Sequence, residues 1–140
     1  MTLTIRTFQP ADSEPVISLW QRCNLTVPWN DPLLDIRRKL AVQPELFLVG
    51  EKDGHLVASA MGGYDGHRGW IYYLAVDPDF RQRGYGRLIT GTLERLLSEA
   101  GCPKINLMVR ATNRAVVDFY GGLGYTVDEV VSLGKRLVDD

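Results

Sequence analysis

The stretch Leu74-Ala75-Val76-Asp77-Pro78-Asp79-Phe80-Arg81-Gln82-Arg83-Gly84-Tyr85-Gly86-Arg87 passes from an apolar strand, through a proline, into a loop rich in arginine and glycine, and on into an amphipathic helix. A helix leaves its first N–H groups without intrahelical partners and carries partial positive charge at that end. An anionic group such as a diphosphate satisfies both. Gly84 and Gly86 place no side chain in the way of an approaching ligand. Arg81, Arg83 and Arg87 add attraction, screened where they are exposed. Taken alone, the glycines suit a tight strand-to-helix turn equally well, and the arginines suit a solvated face.

Working outward, residues 70–76 are apolar or aromatic throughout, which predicts a central strand covered on both faces. Tyr85, Leu88, Ile89, Thr92, Leu93, Leu96, Leu97 and Ala100 recur at helical spacing, and Gly101 follows as a stop. Upstream, residues 3–8 alternate as a strand. Asp12 or Ser13 caps a helix to about Cys23 that carries Val16, Ile17, Leu19 and Trp20. Asp31-Pro32 opens a second helix reaching toward Pro44, with Leu33, Ile36, Leu40 and Val42 on its stripe. Residues 46–51 and 56–63 form a hairpin about Asp53-Gly54. Downstream, the pattern predicts a strand over 104–109, a helix over 113–123 stopped by Gly124, and two closing strands over 125–131 and 132–138. Strand–helix–strand crossover combined with hairpins makes the fold α/β. The sheet is mixed and mostly antiparallel.

The chain has 140 residues, enough for one domain over 1–140 and too few for two ordinary ones. Its net charge of −1 does not suit a nucleic-acid or membrane-surface protein, which usually carries a positive excess. No apolar run approaches the roughly 20 residues that span a bilayer. The first residues lack the basic-then-apolar order of a signal peptide, so a cytoplasmic protein is expected. Cys23 and Cys102 allow one disulfide but read more simply as thiols. His55 and His67 stand far from both, and no metal is expected.

Three phosphate-binding patterns can be set against the loop. A dinucleotide fold needs a small residue where Ile89 stands, and a Walker loop needs Gly-Lys-Ser/Thr, which is absent. The pattern that fits is Arg-x-x-Gly-x-Gly, as Arg81, Gly84 and Gly86. This run resembles the pyrophosphate loop of the GNAT family of acetyl-CoA-dependent N-acetyltransferases. A second segment, Asn113-Arg-Ala-Val-Val-Asp-Phe-Tyr120 followed by Gly121-Gly-Leu-Gly-Tyr125, is similar to that family's Asn-x-x-Ala-x-x-x-Tyr-x-x-x-Gly-Phe/Tyr signature, with the alanine one place early at Ala115. Residues 64–69 and 132–137 further resemble the small YpeA-like bacterial branch of the family.

The resemblance implies a single GNAT-type domain: a sheet of six to seven strands, four flanking helices, and a V-shaped opening between two central strands. The backbone of Leu74 and Val76 would pair with the pantetheine arm, and the Val76 N–H would polarise the acetyl carbonyl. The backbone of Arg81, Gln82, Arg83, Gly84, Tyr85, Gly86 and Arg87 would surround the diphosphate. Asn113 would bond the arm near its thiol end, and Tyr120 would act as general acid. Acetyl-CoA would be a co-substrate, attacked directly by a primary amine in a ternary complex.

Lysine-acetylating members carry a glutamate early in the central strand, where this chain has Trp70, Ile71, Tyr72 and Tyr73. A lysine amine has a pKa of about 10.4 and an α-amine about 7.7–8.0, so near pH 7 the α-amine is neutral roughly 300 times more often. A site without a strong base therefore favours a low-pKa amine or a water relay. Asp65, His67 and Tyr72 are the relay candidates, against simpler roles as turn and packed strand residues. On the acceptor side, Trp29 either stacks on substrate or joins the core, Asn30 lies beside it, and Asp31 either pairs an ammonium or caps its helix. A non-catalytic acyl-CoA sensor, an acyltransferase for longer chains, and a homodimer by family analogy all remain open.

Overall fold

A computed structural model describes residues 3–140, and packing divides them into two compact units, one ending at Leu107 and the other beginning at Met108. The first unit contains β1 (Thr4–Thr7), α1 (Ser13–Arg22), α2 (Pro32–Leu40), β2 (Phe47–Lys52), β3 (His55–Tyr64), β4 (Gly69–Val76), α3 (Tyr85–Glu99) and β5 (Ile105–Asn106). The second contains α4 (Arg114–Gly122). The strands form one sheet in the order β1-β2-β3-β4-β5, antiparallel except for the parallel β4–β5 pair.

Local chemistry accounts for most boundaries. Asp53 and Gly54 both take positive φ (52° and 80°), the two-residue turn that matches the twist of a hairpin. Asp31 caps α2 by accepting the Leu33 N–H at 2.9 Å, with Pro32 in the first turn. Asp12 does not cap α1 with its side chain. Its carboxylate instead takes both terminal nitrogens of Arg6, at 2.7 and 2.8 Å, and the Gln9 N–H at 2.8 Å. The guanidinium holds the Asp12 carboxyl below the usual range.

The two faces of the sheet carry different cores. Phe8, Val16, Leu19, Trp20, Ile36, Phe47, Val49, Met61 and Ala75 form one apolar cluster under α1 and α2. On the other face Ile89, Leu93 and Leu97 of α3 are fully buried, and a Cβ built on Gly62 would stand 2.6 Å from Leu93 Cδ1. Gly62 is thus the dent into which α3 settles.

The structure corrects several expectations. The sheet has five strands among the described residues, not six to seven. The strand expected over 104–109 shrinks to Ile105–Asn106. Residues 125–131 and 132–138 form no strand, and Val127, Val130, Val131, Leu133, Leu137 and Val138 are exposed. Valine-rich composition marks a segment that can become a strand, but only a neighbour supplies the ladder. α2 ends at Leu40, leaving Val42 exposed, and Leu88 of α3 faces solvent. β4 is not covered throughout either, because Tyr72 is 43% exposed.

Replacing Gly62 with alanine presses a methyl group into fully buried Leu93. We expect a loss of about 1–3 kcal/mol, the cost of overpacking a tight core. Chemical denaturation of Gly62→Ala against the wild type measures it.

Candidate active site

Two features of β4 shape the site. Its ladder with β5 covers only Gly69 and Trp70, so among the described residues the stretch from Ile71 to Val76 has no ladder partner on that edge. This is the parting that a V-shaped opening requires. The second feature is a bulge. Ser59 pairs with Ala75 and Met61 with Tyr72, so Tyr73 and Leu74 together oppose Ala60, and Tyr73 takes a φ of 52°. A left-handed non-glycine residue inside a strand costs about 1–3 kcal/mol and persists only when its surroundings hold it.

Those surroundings are explicit. The Tyr73 ring stacks on Trp20 at 3.8 Å between centroids. Trp20 Nε1 donates to Ser59 Oγ at 2.9 Å, and Ser59 Oγ donates to the Tyr73 carbonyl at 2.8 Å. The Tyr73 hydroxyl donates to Asp35 Oδ2 at 2.6 Å, and Asn30 Nδ2 reaches the same oxygen and, at 3.1 Å, the hydroxyl. Beyond the bulge the Asp77 N–H bonds back to the Val57 carbonyl at 2.8 Å. By strand alternation the N–H of Val76 therefore turns away from β3, toward the edge without a ladder.

The loop follows directly. Pro78–Phe80 forms a single 3-10 turn capped by Asp77, whose carboxylate accepts the Asp79 N–H at 2.9 Å. Gln82 and Gly84 take positive φ (63° and 80°), which aims the chain into α3. α3 begins without a capping side chain and without an acidic residue in its first turn, leaving the positive end of a 15-residue helix uncompensated by its own sequence. Nothing lies within 4 Å of the position a Cβ would take on Gly84. Arg83 lies over the Phe80 ring, 4.9 Å from its centroid. Arg81 behaves differently: its Nε donates to the Val76 carbonyl at 3.2 Å, so this guanidinium ties the loop back to the strand. Tyr85 is buried, while Gln82, Arg83 and Arg87 are exposed.

The acceptor-side candidates disperse. Trp29 is 60% exposed and takes no part in the core. Asn30 is drawn onto Tyr73 and Asp35, while Asp31 serves α2 as its cap. Asp65 Oδ1 accepts the N–H groups of His67 and Arg68, at 2.8 and 2.7 Å, and these bonds hold its carboxyl below the usual range. Tyr72 stacks on Trp70 at 6.4 Å; burial first, and the Asp65 charge second, push its phenol up. His67 is exposed. Tyr73, Asp35, Ser59 and Asp77 were not candidates from sequence. Only Asp77 had a signal, its place in the Val-Asp-Pro run.

In the second unit, Asn113 caps α4, its Oδ1 accepting the Val116 N–H at 3.3 Å. The helix stops in a Schellman turn: the Gly124 N–H reaches the Gly121 carbonyl, the Tyr125 N–H reaches the Tyr120 carbonyl, and Gly124 takes a φ of 96°. The apolar contact of that motif is the edge-on packing of Tyr120 and Tyr125, 5.3 Å between centroids. Phe119 packs on Tyr120 at 5.2 Å. Burial pushes the Tyr120 phenol well above its ordinary value.

Comparison with known proteins agrees with this geometry. The model of the acetyltransferase (GNAT) family matches residues 14–125. A protein named acetyltransferase from Yersinia enterocolitica is 54% identical over 138 residues, covering 99% of this chain and 98% of that one. Among solved structures, Ard1 from Thermoplasma volcanium has a TM-score of 0.75 and 26% identity, over 91% of this chain and 85% of its own. The ribosomal-protein-S18-alanine N-acetyltransferase from Escherichia coli has a TM-score of 0.73 and 26% identity, over 88% of this chain and 77% of its own. With the loop, the parted strand and these relatives in agreement, the chain is an acetyltransferase of the GNAT family.

Proposed function

We propose that this acetyltransferase moves the acetyl group of acetyl-CoA to a primary amine by direct attack in a ternary complex, and that its acceptor is a low-pKa amine such as an α-amino group. The two compact units act as one acetyltransferase domain, because the family match crosses their boundary. One observation carries the donor assignment. The uncapped start of α3 follows a β4 edge without a ladder partner, so a site for diphosphate adjoins backbone groups that can pair with an extended arm.

In this reading the backbone of Gln82 to Arg87 holds the diphosphate, with Arg83 and Arg87 adding positive charge. Leu74 and Val76 pair with the pantetheine arm, and the Val76 N–H donates to the acetyl oxygen as charge builds on it. Asn113 and Tyr120 take the family's roles, at the thiol end of the arm and as general acid. The Tyr120 phenol keeps its proton at neutral pH and donates a hydrogen bond to the departing sulfur; the burial that pushes it up makes full proton transfer costlier, so this hydrogen bond is the main part of its role.

The acceptor assignment rests on what the first residues of β4 lack. Residues 70–73 contain no carboxylate. Asp65 is engaged with turn N–H groups, and Tyr72 holds its proton. An amine that is already partly neutral near pH 7 needs least from such a site. The name of the Escherichia coli structural relative points to alanine as its acceptor, which supports the same class.

Thiol release from acetyl-CoA should be faster with peptides bearing a free α-amine than with the same peptides blocked at the N-terminus and offering only lysine. Preference for the lysine peptides would overturn the acceptor assignment, and no thiol release with any primary amine would overturn the reaction. Tyr120→Phe keeps the ring packing and removes the proton; kcat should fall by about 10²-fold while the KM for acetyl-CoA stays within a few-fold. The same phenol sets a pH dependence. An unfolded tyrosine ionises near 10, whereas folded Tyr120 holds its proton higher. Above that pH the unfolded chain sheds a proton that the folded chain keeps, so stability falls as pH rises. Denaturation between pH 9 and about 11 should show a shallower decline in Tyr120→Phe than in the wild type.

A further inference from the structure

The C-terminal end of α1 grips the point where β4 becomes the loop. Arg22 Nη1 donates to Asp77 Oδ2 at 2.7 Å, across 55 residues of sequence. One residue on, the Cys23 thiol donates to the Val76 carbonyl at 3.3 Å, the same oxygen that Arg81 Nε reaches. Asp77 joins these contacts to the loop. Its side chain is only 7% exposed, and its other oxygen accepts the Asp79 N–H that closes the turn Pro78–Phe80. The Phe80 ring at the end of that turn lines the same cleft as Arg22 and Asp77 and carries Arg83 on its face. An unbroken series of contacts therefore runs from Arg22 through Asp77, the turn and Phe80 to Arg83.

We propose that Arg22 is a positioning residue for the donor: it fixes Asp77, and through Asp77 the loop that receives the diphosphate, including the Arg83 guanidinium. The inference rests on the reading of Gln82 to Arg87 as the diphosphate site. Two physical arguments favour local positioning over a contribution to overall stability. The Arg22 side chain is 46% exposed, so water can enter from its side once it is removed and rehydrate the carboxylate locally, without global unfolding. The carboxylate it faces is buried, and without the guanidinium that charge has the Asp79 N–H as its one remaining partner among these contacts. A buried charge so exposed to loss of its partner relieves the penalty by moving toward water. Because Asp77 caps the turn, the turn, Phe80 and Arg83 move with it. The cost then falls on the loop's ability to meet a diphosphate, while the β4 bulge, held by Trp20 and Ser59, stays in place.

The experiment compares Arg22→Ala, Arg22→Lys and Asp77→Asn with the wild type, reading CoA affinity by calorimetry and steady-state kinetics with the best amine of the acceptor series. Arg22→Ala should bind CoA about tenfold more weakly and raise the acetyl-CoA KM by a similar factor, as expected for loss of a hydrogen bond to a charged group. Its kcat at saturating donor and its acceptor KM should change less than about twofold, and Arg22→Lys should recover most of the affinity, because the interaction is electrostatic. Asp77→Asn keeps an oxygen for the Asp79 N–H and loosens the grip of Arg22, so it should weaken CoA binding in the same direction but by less than Arg22→Ala, because no buried charge is left unpaired. The double variant should be no weaker than Arg22→Ala, since it removes the same interaction and leaves no buried charge behind. Wild-type affinity in Arg22→Ala overturns the proposal, and so does a fall in kcat with KM unchanged. If Arg22→Ala does not fold, Asp77→Asn alone decides in the same way. A wild type that does not bind CoA at all would instead overturn the reading of the loop as a donor site.

Discussion

The bulge at Tyr73 and Leu74 is the constraint on which the remainder of the site depends. A regular β4 would continue its ladder with β3 residue for residue, and the extra residue shifts every backbone group beyond it by one place. After the shift, Asp77 faces β3 and Val76 faces the other edge. Without it, the N–H that could meet an acyl oxygen would be spent on sheet formation. The left-handed backbone at Tyr73 is unfavourable in isolation, and three elements share the task of holding it: Trp20 from α1, Ser59 from β3, and Asp35 from α2. The core that stabilises the first unit and the device that orients the β4 edge are therefore partly the same residues. Trp20 shows this best. It is fully buried among Phe47 and Tyr73, and its one polar atom supports the hydroxyl that fixes the bulge.

Much of this was legible in sequence wherever a local rule sufficed. Asp53-Gly54 specified a hairpin turn, Asp31-Pro32 a helix start, and the spacing of Ile89, Leu93 and Leu97 the buried face of α3. The strand–loop–helix order of residues 74–87 is present as read. The features that escaped are those with no local signature. Nothing adjacent to Tyr73 announces a positive φ in an apolar strand, because the cause lies on α1, β3 and α2. Val42 and Leu88 followed apolar patterns and face solvent, since periodicity gives the direction of a side chain but not what covers it. The closing strands failed for the same reason, as the valines and leucines of residues 125–138 have no neighbouring strand to pair with among the described residues.

The two family-like motifs divide differently between structure and chemistry. In the second, Gly124 and Tyr125 have a sufficient structural reason, the Schellman turn and its aromatic contact, and the cap at Asn113 is another. A motif can thus be required by helix termination and still carry functional groups, because the turn that ends α4 also packs Tyr125 against Tyr120 and so adds to the burial that raises its phenol. In the first motif, Gly84 has a backbone reason in its positive φ and Arg81 a structural one in the Val76 carbonyl. What no structural reason covers is the bare first turn of α3. A helix of this length normally gains from a capping side chain or an acid at its start, worth up to about 1–2 kcal/mol, and this one has neither.

That omission, set beside the grip of α1 on Asp77, explains how a loop with left-handed residues at Gln82 and Gly84 keeps its shape before any ligand arrives. Stability that the helix start does not take from its own side chains is supplied from behind: by Asp77 within the turn, by Arg22 on Asp77, and by Arg81 on the strand end. All three contacts fall on Val76, Asp77 and Asp79, upstream of the N–H groups that open α3. The arrangement leaves the first turn of α3 without a carboxylate of its own while the backbone before it is held in place. Such preorganisation lowers the ordering cost of binding, and it is what the proposed donor site needs if donor affinity is to be spent on aligning the acyl group with the Val76 N–H.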